Sequence, residues 1–305
     1  MRIRSVVACV GLAPLLIAAA EPVRLQPSSP WIVDYGENSC RLIRTLGQGK
    51  ALTKFVLESA APGQMDMLVM GKPLATYQEQ VPARFLPVGV ATFDGRVAET
   101  VTNHDPAILW SNIRMIPDPV FDQVQKETQE RVRNPAERPP PLKLAEQQTR
   151  KLQREQFAAG ATELEIQARR GRPVILETGS LGAAIKAWDK CGEDSLRDWG
   201  VDPTLEEKIV RPVWALNPRG WLFGNDYPAD MLNRGKESEV AVRLLIDANG
   251  RVTKCTGLSH FAEKEFNQIT CDLIMKRARF APAELADGTR VPSYSTRRIN
   301  FRIAR

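Results

Sequence analysis

The feature that most constrains this 305-residue chain lies near its end, where Val240, Val242, Leu244 and Ile246 take every second position between Glu239 and Asp247. Strand side chains alternate between two faces, so this spacing predicts a strand with one buried side. Asp247-Ala248-Asn249-Gly250 supplies a turn whose glycine is free to take positive φ, and Arg251 to Leu258 reads as a second strand. From Glu263 to Arg279 the apolar residues Phe266, Ile269, Leu273 and Ile274 follow the helical period, and Phe280-Ala281-Pro282 ends the helix. Beyond Asp287-Gly288 a last strand puts Ile299, Phe301 and Ile303 on one side and Arg298, Asn300 and Arg302 on the other. The order is strand, strand, helix, strand.

The preceding two thirds have a different character. Trp31 to Trp110 is rich in strand signals: Cys40 to Leu46 and Leu52 to Leu57 are split by Gly47-Gln48-Gly49, and Met65 to Met70 follows Pro62-Gly63. Leu86 to Phe93 and Val97 to Val101 flank Asp94-Gly95, which reads as a hairpin turn. From about residue 118 to 170 the chain turns polar, with Val120 to Arg133 and Leu142 to Phe157 expected as solvated helices or a flexible excursion around Pro139-Pro140-Pro141. Val174 to Glu177 is expected as a strand, and Ser180 is placed to cap a helix over Leu181 to Asp198, whose wheel gathers Leu181, Ile185, Trp188 and Trp199 with Cys191 on the flank. Residues 201–226, with Pro203, Pro212 and Pro218, read as a linker anchored by Trp214 and Trp221. The expected organisation is a β-rich region with helices over 21–200, a linker over 201–226 and a smaller unit over 227–305, an α+β chain overall.

The N-terminus carries an export pattern. Arg2 and Arg4 precede an uncharged run from Ser5 to Ala20 that closes on Ala18-Ala19-Ala20, the layout of a signal peptide cut after Ala20. An uncleaved inner-membrane anchor is the alternative, although the run is shorter than the roughly 20 apolar residues that span a bilayer. Without that leader, four cysteines remain, Cys40, Cys191, Cys255 and Cys271, in a compartment where disulfides persist. Four cysteines allow three pairings. The favoured one joins Cys40 to Cys191 and Cys255 to Cys271, because a boundary between the two regions separates the pairs; buried free thiols are the alternative.

The C-terminal pattern resembles the C-terminal domain of TonB-type energy transducers. Tyr227-Pro228, Val240-Ala241-Val242, Asp247-Ala248-Asn249-Gly250-Arg251-Val252, Arg279-Phe280-Ala281-Pro282-Ala283, and Gly288 with Val291 carry the resemblance, which covers residues 227–305. It implies a β-β-α-β fold, a periplasmic location and a binding role, with the domain pairing by strand addition to a short segment of a TonB-dependent outer-membrane receptor. Backbone hydrogen bonds supply affinity in that mode. The expected edge is the last strand, Thr296, Arg297, Arg298, Ile299, Asn300, Phe301, Arg302 and Ile303. Its outward arginines fit edge protection against aggregation equally well. Two departures bear on the resemblance: the hydrophobic start looks cleavable, and a cysteine-linked region replaces a Pro-rich spacer. Coupling to an inner-membrane motor requires that the N-terminus be retained. The region before residue 201 resembles no family by its motifs.

No Gly-x-Ser-x-Gly, His-Glu-x-x-His, phosphate-loop or Gly-x-Gly-x-x-Gly motif occurs. Ser259-His260 and Asn103-His104-Asp105-Pro106 read as loops, and Arg169-Arg170-Gly171-Arg172 as solvated surface rather than a nucleic-acid arm. With two histidines and no Cys-x-x-Cys or His-x-x-x-His spacing, no catalytic residue, metal ligand or cofactor is expected. The expected partner is a protein, with an envelope scaffold that dimerises through the same strand, or an N-terminal enzyme with a TonB-like appendage, as the alternatives. The net charge of +6 is concentrated in Tyr227 to Arg305, which holds 14 Lys and Arg against 9 Asp and Glu, so salt should weaken binding there.

Overall fold

The computed structural model describes residues 21–62, 64–87, 93–99, 104–113, 115, 126, 138–168, 172–258 and 263–303. The export segment 1–20, nearly all of the expected helix over 120–133, Asn103, Arg169-Arg170-Gly171 and Ser259-His260 lie outside them. The structure is α+β. Among the described residues no helix is long and apolar enough to cross a membrane.

The larger unit is a ten-stranded sheet. Its strands are β1 (Val23–Leu25), β2 (Ile32–Tyr35), β3 (Cys40–Leu46), β4 (Thr53–Ser59), β5 (Asp66–Met70), β6 (Gln80–Leu86), β7 (Phe93–Glu99) and β8 (Pro106–Trp110), then β9 (Glu163–Ile166) and β10 (Val174–Leu176) after helix α1 (Leu144–Gly160). The spatial order is β1-β10-β9-β6-β7-β8-β5-β4-β3-β2, antiparallel except for β1 with β10. One face is apolar: Leu42, Leu46, Phe55, Leu57, Met67, Val69, Ile108 and Trp110 are buried. Helix α2 (Gly182–Asp198) packs there through Leu181, Ile185, Trp188 and Cys191. The Trp188 indole N–H donates to the Cys40 carbonyl at 2.9 Å, and Cys40 and Cys191 are bridged with their Cα atoms 6.0 Å apart. The long closed loop is worth about 5 kcal/mol as an upper figure in the chain-entropy model.

Asp94-Gly95 is no hairpin turn: it lies inside β7, with Gly95 opposite Val81 and Asp94 opposite Pro82. The glycine is there for clearance, since a Cβ on it would sit 2.5 Å from the Trp110 ring. The polar excursion does not run to residue 170. Its helix α1 buries Phe157 and Ala158 in the core, and Glu163–Ile166 enters the middle of the sheet between β10 and β6. The heads of α1 are polar because only its last turn reaches the core. Ser180 is not the N-cap of α2, a position that Leu181 takes without a side-chain cap: the Ser180 hydroxyl donates to Ala159 O at 2.9 Å and receives the Gly182 N–H only at 3.4 Å, tying α2 to the end of α1.

The stretch 201–226 is not a free linker. Helix α3 (Pro203–Glu206) is followed by β11 (Trp214–Ala215), which pairs with a strand of the last unit, and Trp221 is buried against Phe280 with ring centres 5.4 Å apart. Asp226 closes a two-pronged ion pair with Arg277. Local prolines set the path and the tryptophans supply the anchoring area.

The second core belongs to α4 (Ala229–Asn233), β12 (Ser238–Ile246), β13 (Val252–Gly257), α5 (Lys264–Arg277), β14 (Phe280–Ala281), β15 (Ala283–Glu284), β16 (Arg290–Val291) and β17 (Ser293–Phe301). The three long strands form a sheet of order β13-β12-β17. Val240, Val242, Leu244 and Ile246 are at most 1% exposed and face Phe266 and Ile274 of α5. Tyr227, Phe266 and Phe301 form an aromatic trio with ring centres 4.7 to 5.7 Å apart. The turn at Asp247 and the Phe-Ala-Pro stop meet directly: Phe280 N–H donates to Gly250 O at 3.1 Å, and a Cβ at Gly250 (φ +80°) would fall 1.9 Å from Phe280 O. Only glycine satisfies both the left-handed φ and the approach. Cys255 and Cys271 are bridged across β13 and α5 at a Cα separation of 5.4 Å.

Candidate partner-binding site

β17 ends the order of its sheet and pairs with β12 alone, from Ser293 opposite Ile246 to Phe301 opposite Ser238. Half of the backbone N–H and C=O groups of such a strand point away from the sheet and are available to another chain.

The eight residues expected to bind a partner do not form one surface. Phe301 is buried and Ile299 half-buried, both turned toward α5. Thr296 accepts from the Gln64 amide, and Arg298 is paired with Glu239 at 2.9 Å and Asp66 at 3.3 Å. Arg302 lies 3.6 Å from Glu237, whose carboxylate also accepts from the Ile303 N–H. Asn300 is exposed. Arg297 donates to the Thr296 carbonyl at 2.8 Å, and burial holds its guanidinium below the usual arginine range. Four of the eight side chains are thus held by hydrogen bonds or ion pairs within the molecule and two pack toward α5, so β17 offers a partner chiefly its edge.

The reason is a contact that sequence pattern does not announce. The face of the three-stranded sheet turned away from α5 packs on the end of the ten-stranded sheet. Arg243, 3% exposed, is its centre: it donates to Asn38 O at 2.8 Å and Ala60 O at 2.6 Å, and its guanidinium stacks 3.7 Å from the Trp199 ring. Among the described residues no carboxylate pairs with it, and burial lowers its pKa to about 10. Two carbonyls and an aromatic face hold the charge instead. Tyr294 reaches Pro62 O at 2.8 Å and meets Trp199 edge-on. Burial, with the Glu206 carboxylate second, pushes the Tyr294 phenol up. Glu206 of α3 accepts from the Ser293 hydroxyl at 2.9 Å, yet burial raises its pKa to about 7. In sequence Arg243 sits on the side of β12 opposite Val242 and Leu244, and so reads as solvent-facing. Trp199 shares a wheel face with core residues and reads as core. Only the joint observation of a tryptophan just past α2 and an arginine inside a strand could have hinted at their stack.

Between the two sheets lies a cleft of about 990 Å³. Its floor is the outer face of the ten-stranded sheet and its roof includes Ala241, Glu239 and Thr296. The four carboxylates along it are engaged: Asp66 and Glu239 by Arg298, Glu237 by Arg302, and Glu58 by the Ser39 hydroxyl at 2.6 Å. The Asp66–Arg298 pair joins the two units, whereas the other three contacts each lie within one unit.

Residues 224–303 match the family model described as Gram-negative bacterial TonB protein C-terminal. No curated protein matches the chain.

Proposed function

Taking that match as premise, we propose that the chain is a non-enzymatic binding protein of the periplasm whose C-terminal unit captures an extended segment of a TonB-dependent outer-membrane receptor. The segment adds as a fourth strand beside β17. The observation that carries this reading is the position of β17 at the end of the sheet within the matched unit. The main-chain edge supplies affinity, and side-chain contacts supply selectivity. The two disulfides suit an oxidising compartment. With the leader removed after Ala20 the protein acts without its own membrane anchor, so any part in energy-dependent transport is as a periplasmic partner. If mass spectrometry finds the leader retained, coupling to an inner-membrane motor returns.

The test is a photo-crosslinking residue at exposed Asn300, activated in intact envelopes. Crosslinks to periplasmic segments of TonB-dependent receptors are expected. Crosslinks confined to a second copy of the chain would favour the dimeric scaffold, and the absence of any adduct with receptors present would refute the reading.

A further inference from the structure

The contacts between the two sheets step in register. Arg243 of β12 bonds Asn38 and Ala60, at the ends of β3 and β4. On the next roof strand, β17, Tyr294, Thr296 and Arg298 meet Pro62, Gln64 and Asp66, leading into β5. Moving one strand across the roof therefore moves one strand across the floor, as the common spacing of about 4.8 Å requires. The floor continues past β5 to β8 and then β7. A strand added outside β17 would be carried over β8, with β7 beside it.

What waits there is specific. Ile43, Val56, Leu68 and Leu109 are in register across β3, β4, β5 and β8, and the row ends on Arg96 of β7, opposite Leu109. All five line the cleft. Arg96 is exposed, and among the described residues no carboxylate pairs with it. Thr296, Arg297 and Arg298 line the same cleft. Successive strand residues point to opposite faces, so three in a row place the strand's edge, and not one face alone, at the cleft.

We propose that the segment added to β17 is read on its inner side by the ten-stranded sheet. The favoured partner is an extended peptide with an apolar side chain over Leu109 and an acidic one, on the same face of the strand, for Arg96. This rests on the strand-addition reading and adds to it a selectivity that the C-terminal unit alone does not possess. Charge complementarity identifies the occupant: the cleft presents a guanidinium that no carboxylate among the described residues pairs with, at the end of an apolar row, and an acidic and an apolar side chain on one face of a strand match both.

The experiment selects displayed random octapeptides on the mature full-length protein, on Arg96→Ala and on Asn300→Pro, with circular dichroism confirming the fold of each. Winners from the wild type are then titrated as synthetic peptides beside copies carrying Asn for Asp or Gln for Glu. Enrichment of an acidic residue together with an apolar one on the same strand face is expected on the wild type. Neutralising the acid should weaken binding about tenfold in the wild type and hardly at all in Arg96→Ala. An equal loss in both proteins, or peptides with no acidic preference, would overturn the selectivity while strand addition stood. Equal recovery on Asn300→Pro and wild type would overturn strand addition, and the selectivity with it.

Discussion

Glu206 makes the contact between α3 and the start of β17 sensitive to pH, and its substitution gives a quantitative test. The carboxyl accepts from the Ser293 hydroxyl, at the residue that begins β17, and burial raises its pKa from an ordinary 4.5 to about 7. A folded-state pKa above the unfolded one means that the folded chain holds more protons in between. The stabilisation is therefore complete below about pH 4.5 and lost as pH rises through 7. The gap corresponds to about 3 kcal/mol at roughly 1.4 kcal/mol per pH unit, less whatever water recovers at a partly exposed side chain. Glu206→Gln keeps an oxygen for Ser293 and removes the titration. Urea unfolding followed by tryptophan fluorescence should find the variant within about 0.5 kcal/mol of the wild type at pH 5. At pH 8 it should be more stable by about 2 kcal/mol. A stability difference that does not change between the two pH values would refute the assignment.

Arg243→Met removes both donors from the carbonyls of Asn38 and Ala60 and the stack on Trp199. It should cost about 3 kcal/mol and separate one unfolding transition into two in a urea titration. Gly95→Ala places a Cβ 2.5 Å from the Trp110 ring, and a loss of about 2 kcal/mol or more with altered tryptophan emission is expected in the same assay. Replacing Cys255 and Cys271 together by serine opens a bridge of sequence separation 16, and calorimetry should show about 3 kcal/mol less stability in the last unit.

The parts of the fold visible in the sequence are those that a single element determines. The alternation of Val240, Val242, Leu244 and Ile246, the helical spacing of Phe266 and Ile274, and the Gly250 turn each follow from local geometry, and each side chain is where its spacing puts it. Asp94-Gly95 shows the limit. A turn and a close approach both require glycine, and only the distant Trp110 distinguishes them. Residues 163–166 read as part of a polar stretch because four residues between a charged helix and a loop carry too little pattern to mark an internal strand. For the candidate site, the edge strand was legible and its surroundings were not. Arg243, Gln64 and Glu206 act across contacts of 87 to 232 positions in the chain, and nothing local encodes those contacts.

In the proposed mode of binding, β17 receives a partner's strand along its edge. Hydrogen exchange of the mature protein, alone and saturated with the receptor segment identified by crosslinking at Asn300, tests it directly. Slowed exchange at outward-facing amides of β17, with no comparable change along the β13 edge, is the expected result. Tight binding that leaves β17 exchange unaltered would contradict it.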